Sequence, residues 1–197
     1  MSSPRELSSL GISHAAPPLD FSFKCLAVLS DISDEEPRDG IRKLRYTRQD
    51  KPKAVTNAFR LNNNSLCELS GFAETLASLV DNPDGLLWID ISFNDLTTID
   101  PVLPTYRNLR VLYLHGNNIS NLCEVEKLAQ LSDLRSLTLH GNSIENEKGY
   151  RHMVLAMIPQ LKTLDFSGIT KSDRATSLQF KNRPWAKKTK KKAQVSE

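Results

Sequence analysis

The chain has 197 residues, 39% of them hydrophobic and 25% charged, with a formal net charge of +3. That is long enough for one packed domain with flanking segments, and no apolar run approaches the ~18–20 residues of a membrane span. The charge is unevenly spread, at +2 over residues 1–60, −6 over 61–170 and +7 over 171–197, so an acidic middle is followed by a basic end.

Residues 1–55 form an N-terminal extension. The first twenty residues lack a cationic start followed by an apolar block, so no secretory leader is expected. The stretch "LDFSFKCLAVL" alternates only in part, and "DISDEEPRDGIRKLRYTRQDKPK" switches from acidic to basic. Two readings stand side by side: a partly extended cap on the domain that follows, or an arm that orders against a partner. Cys25, Cys67 and Cys123 are odd in number, far apart and without a CxxC pair, which excludes a disulfide framework or a zinc site and points to a reducing compartment. Cys67 and Cys123 are expected to be small buried hydrophobes.

From residue 56 a pattern repeats. Leu109, Leu112, Leu114, Asn117 and Ile119 spell L-x-x-L-x-L-x-x-N-x-I, and Leu134, Leu137, Leu139, Asn142 and Ile144 spell it again. Upstream, Leu86, Ile89, Ile91, Asn94 and Leu96 fit the same frame, as do Thr56, Phe59, Leu61, Asn64 and Leu66. Leu161, Leu164 and Phe166 begin a fifth frame that degenerates, as a terminal cap does. The frames start 30, 23, 25 and 27 residues apart, the spacing of leucine-rich repeats. Each repeat has a short strand whose apolar side no single repeat can bury, so the strands stack. The predicted fold is therefore α/β, a curved leucine-rich repeat solenoid with a parallel concave sheet and a helical or 3₁₀ convex side. Asn64, Asn94, Asn117 and Asn142 are expected to form an inward ladder that satisfies backbone groups of the turns.

On the convex side, "LCELSGFAETLASLV" and "ISNLCEVEKLAQL" carry apolar residues at three-to-four spacing. Pro101 and Pro104 predict short turns between them. The repeat domain is placed at 56–174, with its cap beginning near residue 145, and a basic flexible tail at 175–197.

Strand residues alternate faces, so the third, fifth and seventh positions of each frame should line the concave side. This nominates Arg60, Trp88, Asp90, Tyr113, His115, Thr138, His140 and Asp165 as a partner-binding stripe, with Trp88 beside Val111 as an apolar patch. Aromatic residues dominate interface energetics. The competing reading has Trp88 covered by the N-terminal segment and closing the core. His115 and His140 fall in matched "LHGN" frames, but two imidazoles without a third ligand make no metal site. They are instead candidates for a pH-dependent contact. The tail holds seven basic residues from Lys181 to Lys192, with Lys187, Lys188, Lys190, Lys191 and Lys192 as its core. Only Trp185 could stack on a base there, so nucleic-acid recognition is not favoured.

The segment after the fourth repeat resembles the C-terminal cap of the short intracellular leucine-rich repeat class. Its positions here are Tyr150, Arg151, Pro159, Leu161, Leu164, Asp165, Ile169, Thr170, Asp173 and Arg174. Members of that class include a phosphatase regulatory subunit, an axonemal dynein light chain and a spliceosomal protein, all docking surfaces. The resemblance implies a cytoplasmic, non-enzymatic scaffold without cofactor, small-molecule substrate or membrane contact. It also implies a ciliary or axonemal setting with tubulin or another axonemal protein as partner. A phosphatase-type regulatory subunit and, behind it, a nucleic-acid-associated protein are the alternatives. No GxGxxG, P-loop, GxSxG or HExxH supplies catalytic parts.

Overall fold

A computed structural model describes residues 16–180. The basic run from Lys187 to Lys192, and Trp185 with it, lies outside them. Seven short strands form one sheet in chain order: β1 (Leu19–Asp20), β2 (Ala58–Arg60), β3 (Trp88–Asp90), β4 (Val111–Tyr113), β5 (Ser136–Thr138), β6 (Thr163–Leu164) and β7 (Ser167–Gly168). β1 to β6 are parallel, and β7 returns antiparallel to β6. One residue of each parallel strand falls on a shared line, Leu19, Phe59, Ile89, Leu112, Leu137 and Leu164, and all six point into the core. The solenoid predicted from the frames is therefore the fold, and its repeat register is the one the leucines give.

The convex side is built from short pieces. Among the described residues three α-helices occur, α1 (Phe72–Leu79), α2 (Tyr150–Met157) and α3 (Lys171–Phe180), with 3₁₀ turns at Pro83–Gly85, Leu103–Thr105, Leu122–Gln130 and Ser143–Asn146. The Pro-bearing segment forms a single 3₁₀ turn, since proline cannot donate into a helix. Cys67 and Cys123 are exposed here, against expectation. Each follows a leucine that packs on the core, Leu66 fully and Leu122 in part, and the next residue turns to solvent.

The asparagines act between coils as well as within them. Asn117 Nδ2 donates to the carbonyls of Ile91 and Leu114, while its Oδ1 accepts from Leu96 N at 3.1 Å. Asn94 and Asn142 repeat this bonding one coil to either side. Asn64 does the same for a coil that precedes it: its amide donates to Phe21 O and Leu61 O, and its oxygen accepts from Lys24 N and Leu26 N.

That preceding coil is a sixth frame, absent from the sequence-based reading, which left residues 1–55 as an extension. Leu19, Phe21 and Leu26 occupy the leucine positions, and a 3₁₀ turn at Leu29–Asp34 returns the chain, with Leu29 and Ile32 in the same core. Rings then pack edge to face inward from the end, Phe21 on Phe59, Phe59 on Phe72 and Phe72 on Tyr106. Residues 35–55 loop outward and come back through a bridge of Tyr46 to Ala54, which itself bridges to Val80. At the other end, α3 packs on α2 and runs to Phe180, six residues past the boundary drawn at 174. Arg151 holds Asp173 by two hydrogen bonds of 3.2 Å, and Thr170 and Asp173 cap the start of α3 reciprocally. Arg174 donates to the Leu161 carbonyl.

Candidate protein-binding face

Three columns of side chains run across the concave sheet. The first is Ala58, Trp88, Val111, Ser136 and Thr163; the second is Asp20, Arg60, Asp90, Tyr113 and Thr138. The third, just past the strands, is Ser22, Asn62, Ser92, His115 and His140. Strands ~4.8 Å apart place column neighbours in contact. The crowding buries more of this face than expected: Val111, Tyr113, Asp90 and Thr138 are buried, and Arg60, Trp88, His115, His140 and Asp165 are half-buried. The apolar patch of Trp88 and Val111 is thus not open, because Val111 sits between the Trp88 ring and Ser136 on the next strand.

The columns divide into two chemistries. Toward the N-terminal end lies a charged ladder. Arg60 Nη1 donates to Asp20 Oδ2 at 2.9 Å, and Arg60 Nε lies 3.8 Å from Asp90 Oδ2. Asp90 Oδ1 accepts from Ser92 Oγ and Ser92 N, as Asp20 Oδ1 accepts from Ser22 N. Burial raises the Asp90 pKa, opposed by those Ser92 bonds and by the Arg60 charge. Around this ladder three shielded polar atoms have no hydrogen-bond partner: Arg60 Nε, Asn62 Oδ1 and Trp88 Nε1.

Toward the C-terminal end the face is made of rings. His115 and His140 stack with centroids 4.7 Å apart and planes 8° from parallel. Phe166 packs edge-on against Tyr113, His115 and His140, and Phe93 lies 5.0 Å from His115. Tyr113 joins the two halves, 6.0 Å from Trp88 and 5.4 Å from Phe166. His115 Nδ1 lies 2.8 Å from Thr138 Oγ1. Burial, with the neighbouring His140, lowers its pKa to about 4, so it is neutral at pH 7.

Asp165 closes this half instead of extending it. The strand ends at Leu164, Asp165 takes a φ of 52°, and its carboxylate accepts from Leu139 N, His140 N and Tyr150 Oη. His140 Nδ1 lies 3.3 Å from the same group. Burial and the Asp165 charge raise the Tyr150 pKa, so Tyr150 stays a donor. Asn62 takes the concave position that its frame gives it, while Asp20, Phe93 and Phe166 were missed as members of the face. The signal for the first was present, since "DFSF" at Asp20–Phe23 and "DISF" at Asp90–Phe93 are the same motif. Among the described residues, no group of three or more His, Cys, Asp or Glu is placed to hold a metal, and no helix is long and apolar enough to cross a membrane.

The family profile described as Leucine-rich repeat matches residues 57–194. Leucine-rich repeat-containing protein 51 of Rattus norvegicus is 54% identical over 161 residues, covering 82% of this chain and 83% of the relative. The Homo sapiens protein of that name is 51% identical over the same shares. Among solved structures, the Drosophila melanogaster SNF/U2A' complex contains a chain matching with a TM-score of 0.55 and 26% identity, over 70% of this chain and 75% of that one. The asparagine ladder, the coil spacing and these likenesses agree: the chain belongs to the leucine-rich repeat family.

Proposed function

We propose that this chain is a non-enzymatic scaffold that docks a protein partner on the concave face, across β2 and β3. The observation that carries the reading is the set of shielded polar atoms there that lack a hydrogen bond, Asn62 Oδ1, Trp88 Nε1 and Arg60 Nε, the last held only by an ion pair to Asp90 at 3.8 Å. A shielded donor or acceptor left unpaired costs roughly 1–3 kcal/mol. Three on one face form a pattern that a partner's main chain, with alternating carbonyls and N–H groups, can complete. A relative of like fold is named in a complex with another protein, which supports a docking role.

Trp88→Phe deletes the Nε1 donor and keeps a ring, so it should weaken partner binding about fivefold with the fold intact, as loss of one hydrogen bond worth ~1 kcal/mol predicts. Trp88→Ala should remove binding. Partners captured equally well by a folded Trp88→Ala chain would end the proposal.

The finer reading is a structural component of the cytoplasm or of the ciliary or flagellar axoneme, bound to tubulin or another axonemal protein. It rests on the fold analogy with an axonemal light chain and on the charge of the 181–197 segment. Sedimentation with microtubules at low salt, weakened when Lys187, Lys188, Lys190, Lys191 and Lys192 are changed to Gln, is the expected result. A chain that stays in the supernatant at low salt removes tubulin from the reading. Recovery of a stoichiometric phosphatase catalytic subunit from tissue would favour the regulatory-subunit alternative.

A further inference from the structure

Where each strand leaves the concave face, the backbone turns through the left-handed region. Asn63, Gly116 and Gly141 take φ of 57°, 67° and 71° there, and residues of those two types tolerate it. Two other coils place phenylalanine at this position, Phe23 at 58° and Phe93 at 52°, and Phe166 at 59° lies two residues past the last parallel strand. A bulky side chain in this region costs roughly 1–3 kcal/mol. The rings do not recover it by burial, since Phe23, Phe93 and Phe166 are 60%, 52% and 41% exposed. Strained, exposed aromatic residues at a repeated turn point to a use outside the fold.

Phe93 and Phe166 bound a continuous rim. The Phe93 ring lies over Gly116, where an added Cβ would come within 2.6 Å of it, and from there the path runs through His115 and His140 to Phe166. The rim crosses from β3 to β6, three strand spacings or roughly 14 Å. Its turns carry exposed Asp95, Glu145 and Glu147, with Lys148 as the single cation in residues 92–98, 115–121 and 140–148. Aromatic faces and carboxylates together suit a cationic segment with an apolar anchor.

Such a segment begins beside the rim. Helix α3 ends at Phe180, whose ring stacks on His152 and would lie 3.0 Å from a Cβ on Gly149, two residues from Glu147. Tyr150, next in the chain, bonds Asp165 under the rim. Residues 181–197 then carry seven cations and Trp185. At up to ~3.3 Å per residue, the seven residues from Phe180 to Lys187 allow a span of about 23 Å, longer than the rim itself.

We propose that the aromatic, acidic rim from Phe93 to Phe166 is a docking surface for this chain's own segment 181–197, held by Trp185 and by the lysines from 187 to 192. The surface is separate from the unpartnered atoms on β2 and β3, so it stands whether or not a partner docks there.

Zero-length carbodiimide coupling of the full chain tests it, because an amide forms only where an amine and a carboxylate touch. Mixing isotopically labelled and unlabelled chains separates links within a chain from links between chains. The expected links join Lys187–Lys192 to Asp95, Glu145 or Glu147 within one chain. They should vanish at ~1 M salt, where the screening length is about 3 Å. Trp185→Ala, which removes no amine, should reduce them roughly fivefold, as should Phe93→Asn with Phe166→Asn, whose new residues accept the left-handed backbone. Trp88→Phe should leave them unchanged. Links absent at low salt, scattered equally over Glu36, Asp84 and Asp133, insensitive to Trp185→Ala, or formed only between chains would each overturn the proposal.

Discussion

His115 shows how a repeat position becomes a titrating device. The imidazole stacks on His140, meets Thr138 through Nδ1 and is pushed down to about 4 by burial and its neighbour. Its folded pKa lies below the ordinary 6.5, so the unfolded chain binds the proton first as pH falls. Stability from this group is therefore complete above pH 6.5 and declines between about 6.5 and 4. His115→Gln should flatten that decline in urea melts across the window; an unchanged slope would mean the imidazole is not protected. The sequence revealed the paired histidines, because "LHGN" recurs in frame. It could not reveal that Phe166 would cover them, since that follows from the positive φ of Asp165 and Phe166, at positions with no glycine to announce a turn.

At the scale of one coil, the asparagine is the fastening. Asn117 makes three buried hydrogen bonds, two of them to the coil before. Asn117→Ala should cost about 3 kcal/mol or more, measured by denaturant unfolding, because two carbonyls and one N–H lose their partner in a dry interior. The same chemistry explains why the first coil was hard to read. Lys24 stands where its asparagine would be, and no asparagine is needed, because Asn64 of the next coil already serves Phe21 O, Lys24 N and Leu26 N. The excursion of residues 35–55 then stretches the spacing to the next frame beyond the usual period. Cys67 and Cys123 failed for a related reason: position in the coil, not residue type, decides which side chain turns inward.

Over the whole molecule, one core runs unbroken from Leu19 to Leu164. The first coil is part of it, so Phe21→Ala, outside the repeats recognised in the sequence, should destabilise the entire chain by about 3–5 kcal/mol in a single cooperative transition. A separate low-temperature step for that coil would show that it does not belong to the cooperative unit. A stack of equivalent coils has no intrinsic length, and each added strand leaves a fresh row of donors and acceptors for the next. Here each end carries a contact that interrupts its row. The first strand has only two residues, and Asp20 O accepts from Arg38 N at 2.7 Å. At the far side the Asp165 carboxylate takes the Leu139 and His140 amides, and β7 runs against the direction another coil would need. Among the described residues the sequence therefore encodes a count as well as a shape, six parallel strands with a closing contact at either end, the kind of device that opposes templating of a filament by a fold made for stacking.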